Sequence, residues 1–186
     1  MKKLLVTLIL TFLFAGNIFS QDSSKSNEIG VYFTSTYRYG IRYKHGNENL
    51  MFRITALRFS SDSYDSEYNT GEQYESDEIG FGLNLGMEIP ISITEKFNFF
   101  YGPELSGEYS YDEEKYVDNY TYRKVYEFGL GFIMGFAYKI NTELLISVEL
   151  VPSLYYRYRE HSGGDSKTFG FEFTNDYAGL AIGYRF

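Results

Sequence analysis

The chain contains no cysteine and no tryptophan, and only three prolines and two histidines, among 186 residues. Without thiols there is no disulfide framework, no cysteine-based zinc site, no thiol nucleophile and no acylated lipoprotein anchor. Stability must come from packing and hydrogen bonding. Basic residues are outnumbered, 17 against 25 acidic, for a formal charge of −8; setting aside Lys2 and Lys3 gives −8 − 2 = −10 for the remainder. Such a chain is a poor ligand for a phosphate backbone, so nucleic acid is not an expected partner. Long apolar runs are also missing after residue 20, where none reaches the length of a membrane-spanning helix. Aromatic residues are abundant instead, with 20 Tyr and 17 Phe, alongside 18 Gly.

The first 20 residues read as an export signal: the basic start Met1-Lys2-Lys3, an apolar run from Leu4 to Ala15, and a more polar stretch from Gly16 to Ser20. The apolar run is too short to span a bilayer comfortably, and Asn17 closes it. Three segments are therefore expected: a cleaved signal over 1–20, a short N-terminal stretch over 21–27, and one domain over 28–186.

That domain is patterned with period two. Ile79, Phe81, Leu83, Leu85, Met87 and Ile89 alternate with small or polar residues, as do Tyr126, Phe128, Leu130, Phe132, Met134, Phe136 and Tyr138. Helical spacing fits neither run. Similar alternation predicts strands over 28–35, 37–45, 50–60, 78–89, 96–111, 120–139, 143–159 and 168–186. A shift of parity near Ala56 predicts a β-bulge, and a second irregularity is expected at Thr174 to Asp176. Connections at 46–49, 90–95 and 140–142 are short, whereas 61–77, 112–119 and 160–167 are expected as long acidic, Tyr-rich loops at the other end; a tight turn near Thr36 completes the set.

The glycines share a face with the charges, and the opposite faces are almost entirely Leu, Ile, Phe, Tyr and Met. An eight-stranded barrel has an interior just wide enough for side chains, so the small and charged face belongs inside and the apolar face outside. A soluble lipocalin-like binding barrel would need the reverse. Tyr43, Phe97, Phe99, Tyr138 and Tyr184 near one end, and Phe59, Tyr109, Tyr126 and Tyr156 near the other, would form two interfacial girdles. The fold class expected is all-β, an eight-stranded antiparallel up-and-down transmembrane β-barrel.

The segment Tyr177-Ala-Gly-Leu-Ala-Ile-Gly-Tyr-Arg-Phe186 ends in Phe with apolar residues at alternate positions. With these strands, residues 28–186 resemble the small outer-membrane β-barrel family of Gram-negative bacteria, the OmpA and OmpX type. The resemblance implies an integral outer-membrane protein in contact with lipid and lipopolysaccharide. It also implies that Leu180, Ile182, Tyr184 and Phe186 are the signal read by the barrel-assembly machinery. The absence of Trp departs from the family, with Tyr and Phe left to supply the girdles.

Twelve charges fall on the inward face: Arg38, Arg42, Lys44 and Arg53, then Glu88, Glu104, Glu108, Glu127 and Glu149, then Arg157, Glu172 and Arg185. Basic early strands and acidic middle ones are expected to meet on closure as an ion-pair network filling the lumen. A narrow gated path is the functional alternative. The glycine triplets Gly80/Gly82/Gly86 and Gly129/Gly131/Gly135 lack the spacing of a nucleotide fingerprint and read as small lumen residues. His161-Ser162 raises an enzyme acting on outer-leaflet lipid, although neighbours on a Gly-rich loop rarely hold the geometry of base and nucleophile. His45 beside a turn reads as solvated. Asp62 to Glu78 lacks the pattern of a calcium loop, so no metal and no cofactor is expected, although divalent ions bridging it to lipopolysaccharide stay open.

The reading that follows is a non-enzymatic outer-membrane barrel with a structural or surface-interaction role. Its strands are too long for the bilayer alone, so they should project and offer an edge to an extracellular protein. N-terminal sequencing of the chain recovered from a cell envelope should begin at Gln21; a protein beginning at Met1 there would make the first segment an anchor.

Overall fold

The computed structural model describes residues 26–34, 38–59, 63–67, 73–116, 119–173 and 178–186. The expected signal, the turn at Thr36 and the irregularity at 174–176 lie outside the described residues. Every described regular element is a strand: β1 Ser26–Phe33, β2 Arg38–Gly46, β3 Met51–Phe59, β4 Ser63–Glu67, β5 Gln73–Ser92, β6 Phe97–Tyr116, β7 Asn119–Lys139, β8 Leu144–Leu150, β9 Ser153–His161, β10 Gly164–Glu172 and β11 Ala178–Arg185.

All pairings are antiparallel, and β1, β2, β3, β5, β6, β7, β8 and β11 form a closed ring of eight. Closure runs through Glu28↔Arg185 to Phe33↔Leu180, so first and last strands meet. β4 continues β3, β9 continues β8, and β10 leads into β11, which turns the eight expected strands into eleven segments. β8 and β9 are divided at Val151-Pro152, where proline lacks the N–H a ladder needs; Pro152 still accepts from the Phe132 N–H at 3.0 Å.

Alternation fixes the faces. Along β7 the glycines Gly131 and Gly135 are buried while Phe128 is 64% exposed, and along β3 Arg53 is 2% exposed while Phe52 is 52% exposed. Charges are thus inside and large apolar side chains outside, the inverse of a water-soluble barrel and the arrangement suited to hydrocarbon. Outward aromatics stack across strands in two bands. Phe97 and Phe99 each lie 5.3 Å from Phe136, with Tyr184 beside Phe186; farther along, Tyr126 lies 5.1 Å from Tyr109 and 6.2 Å from Tyr158.

The wall is uneven in height. β1 and β2 have 8 and 9 residues, whereas β5, β6 and β7 have 20, 20 and 21. Beyond the ring, β4, β5, β6, β7, β9 and β10 continue as an open sheet whose outer strands β4 and β10 each have one partner only among the described residues. The short connections gather at the other end, where Asn47 Oδ1 accepts from Leu50 N–H and Asn141 Oδ1 accepts from Leu144 N–H, side chains standing in for a backbone turn.

Three sequence expectations need correction. There is no bulge near Ala56: β3 pairs with β2 and β5 in unbroken register from Met51 to Phe59, Ala56 faces outward and Leu57 turns in to pack with Tyr32 and Ala181. The long loops are largely strand as well. Residues 63–67 and 73–77 pair as a hairpin, β6 and β7 run on to Tyr116↔Asn119, and β9 and β10 meet at Ser162-Gly163 with Gly164 at φ 130°. Finally, β1 begins at Ser26, inside the stretch expected to precede the barrel.

Glycines clear space for larger partners. A Cβ on Gly179 would stand 2.2 Å from the Tyr32 ring, which fills the lumen over that strand. Gly179→Val should therefore lower the stability of the refolded barrel by about 1–3 kcal/mol through overpacking, measured by urea unfolding in detergent; an unchanged midpoint would mean that the ring is not held there.

Candidate functional site

The lumen is crossed by a dense charged layer assembled from seven strands. Arg53 on β3 sits at its centre: Nε donates to Glu104 Oε2 at 2.8 Å, Nη1 to Glu88 Oε1 at 3.0 Å and to Glu149 Oε2 at 2.8 Å, and Nη2 to Glu149 Oε1 at 3.2 Å. Its neighbour Arg42 on β2 grips the same Glu149 with two parallel bonds of 2.8 and 2.7 Å, donates from Nε to Thr55 at 3.0 Å and lies 3.8 Å over the Tyr32 ring. The planar fork of arginine meets a carboxylate in this bidentate way, which lysine could not do. Lys44 Nζ bridges Glu88 at 2.9 Å and Glu28 at 3.5 Å, and Arg185 reaches Glu28 from the last strand at 3.4 Å.

Arg42, Lys44, Arg53 and Arg185 are thus matched by Glu28, Glu88, Glu104 and Glu149. Four positive and four negative groups leave the layer neutral. The charges are removed from water, since Arg42, Arg53, Glu88, Glu104 and Glu149 are all buried, and only mutual pairing offsets the loss of hydration. Strand register explains how they meet. Positions 42, 44, 53, 88, 104 and 149 all share the inward parity of their strands, so ring closure alone aims them at one another.

Apolar side chains lie in the lumen beside this layer, Phe100 with Ile133 and Val151 in one group and Tyr32 with Leu57 and Ala181 in another. A second, smaller charge layer lies toward the projecting sheet, where Arg38 pairs with Glu108, and Arg157 pairs with Glu127 and with Glu172 at 3.7 Å. Between the layers the lumen holds a cavity of about 30 Å³ lined in part by Asn84, Glu104, Glu108 and Glu127. That is room enough for a water molecule. All twelve charges singled out in the sequence are placed in these two layers. Sequence reasoning missed Glu28, Thr55, Asn84 and Tyr32, which belong to the same assembly; the inward parity of each was the available signal.

The remaining sequence motifs lie elsewhere. Leu180, Ile182, Tyr184 and Phe186 all point outward and are exposed. His45 Nδ1 lies 2.8 Å from Asn27 Oδ1, which also accepts from the Tyr43 hydroxyl at 2.8 Å, so His45 is tied to the ring's lower rim. Ser162 Oγ accepts from the Tyr122 N–H at 3.0 Å at the tip of the β9–β10 hairpin, and no hydrogen bond joins it to the exposed His161. Base and nucleophile are not engaged with each other in this arrangement.

No protein-family model matches the sequence, and no curated protein matches it. Solved structures of similar fold include Neisserial surface protein A, with 12% identity over 87% of this chain and 93% of that one and a TM-score of 0.44. The N-terminal β-barrel domain of OprF from Pseudomonas aeruginosa shares 12% identity over 89% of this chain and all of that one, with a TM-score of 0.48. Ail, the attachment invasion locus protein of Yersinia pestis, shares 14% identity over 87% and 97%, with a TM-score of 0.45.

Removing Glu104 leaves Arg53 short of one of its three carboxylates and Asn84 short of an acceptor. Glu104→Ala should cost about 3–5 kcal/mol of barrel stability, the range for an orphaned buried charge. Urea unfolding measures the loss, and planar-bilayer recording of the same variant should stay silent. A stable variant that conducts would identify the layer as a gate.

Proposed function

We propose that this chain is an integral outer-membrane β-barrel whose role is structural or surface-interacting, with a lumen plugged by ion pairs and a long-stranded sheet displayed outside the cell. The carrying observation is the inversion of burial: Phe128, Leu130 and Phe132 face outward on β7 while Arg53, Glu104 and Glu149 are buried in the lumen. In water this arrangement would expose a continuous apolar belt, whereas in hydrocarbon the belt is solvated and the closed ring satisfies every backbone group in the wall. The export signal over 1–20 supplies the route to that membrane.

The parts take distinct roles in this reading. Leu180, Ile182, Tyr184 and Phe186 on the last strand are what the assembly machinery engages before closure. The aromatic bands face lipid on one side and lipopolysaccharide on the other. The free edges of β4 and β10 present backbone donors and acceptors to which a strand of an extracellular protein adds. The plug serves rigidity, since neutral pairing across seven strands resists both solute passage and shape change.

The test is a heat-shift gel on cell fractions. A band in the outer-membrane fraction that migrates differently before and after boiling is expected. An unshifted band in the soluble periplasm would overturn the reading and restore a soluble barrel.

A further inference from the structure

Above the plug, the concave face of the projecting sheet forms a cup of about 260 Å³, lined by residues that include Ser110, Arg123, Val125, Glu127, Arg157 and Arg159. Its arginines are not equivalent. Arg157 is held by Glu127 and Glu172, and Arg123 is held by Asp112 at 2.8 Å. Arg159 pairs with no acid among the described residues. The ladder explains why: its partners across the two neighbouring strands are Val125 and Ser166, and Val125 is in turn opposite Ser110, so that row of the concave face carries no carboxylate.

An unmatched guanidinium is conspicuous here. The chain has 25 acidic residues for 17 basic ones, and every other described arginine lining the lumen or cup has an acidic partner. Arg159 is also half-buried in the wall of the cavity. A planar five-donor fork in a concave, partly desolvated site is suited to a tetrahedral oxyanion, which it can bind through two parallel bonds.

We propose that this cup is a binding site for a phosphate or sulfate group, anchored by the Arg159 guanidinium with the Arg123 guanidinium and the Ser110 hydroxyl as flanking donors. Glu108, which also lines the cup, and Glu127 and Asp112 do not oppose the anion strongly, because each is already neutralised by an arginine. The Val125 side chain provides an apolar floor that excludes a larger charged head from lying flat. The group arrives either free in solution or as the headgroup of a lipid reaching over the rim, and the two sources share the same chemistry at Arg159.

The experiment uses the mature chain refolded in detergent, with arginine Nε–Hε resonances followed by NMR at constant ionic strength. Adding inorganic phosphate should shift the Arg159 signal saturably. Arg159→Gln should weaken binding about tenfold or more, the scale expected for losing a charge-assisted contact. Lys167→Gln, a charge removed from the exposed β10 outside the cup, should leave it unchanged. A parallel series in nanodiscs with and without phosphatidic acid separates the sources: a response to inorganic phosphate assigns a soluble ligand, and a response to phosphatidic acid alone assigns a lipid headgroup. No saturable shift with either probe would overturn the site, as would equal weakening by the two substitutions. Retained heat-shifted mobility of each variant shows that it is folded, so a failure here leaves the membrane reading untouched.

Discussion

One guanidinium holds much of this molecule together. Arg53 stands on β3 and binds carboxylates from β5, β6 and β8, while Arg42 on β2 shares one of those carboxylates and Lys44 shares another. A buried charge of this kind cannot be accommodated strand by strand, because each partner alone leaves an uncompensated ion in a medium that solvates it poorly. The complete ring is the only state in which the four positive and four negative groups of the layer are all matched. Side-chain electrostatics and backbone closure therefore demand the same geometry, and the exterior is left free to be wholly apolar.

The exterior obeys a different constraint. A strand exposed to hydrocarbon must have both of its edges paired, which a ring supplies and an open sheet does not. The ring extends only as high as its shortest hairpin, β1 with β2, and above it six strands continue as a sheet with two free edges. Those edges are tolerable only where water can solvate them. Among the described residues the lower part of the molecule is thus without edges, whereas the upper part carries edges that need water or a partner strand.

Sequence alone showed most of the fold, because parity is a strict rule: a residue's face follows from counting in twos, and residues such as Glu104 and Leu105 declare opposite faces at once. It failed where both faces are wet. Segments such as 73–77 and 112–116 hold only polar residues and tyrosine, so the hydrophobic contrast that marks a buried strand disappears although the hydrogen-bonded ladder continues. The misread bulge at Ala56 has the opposite origin. Leu57 is apolar yet faces the lumen, and only contact with Tyr32 and Ala181, far away in sequence, shows why. The charged lumen residues were legible one by one, but which carboxylate each arginine grips depends on cross-barrel distances that no local spacing encodes. Arg159 could not be distinguished from Arg157 in sequence, since the difference is the pairing row it occupies.

The seam between β1 and β11 has a kinetic meaning. It joins Glu28 to Arg185, residues at nearly opposite ends of the barrel domain, and the same two residues carry the outermost ion pair of the central layer. Loop-closure entropy makes so distant a contact slow to form, and until it forms the lower lumen stays open to water. The two terminal strands, short as they are, thus hold the contact on which the dryness of the lower lumen depends.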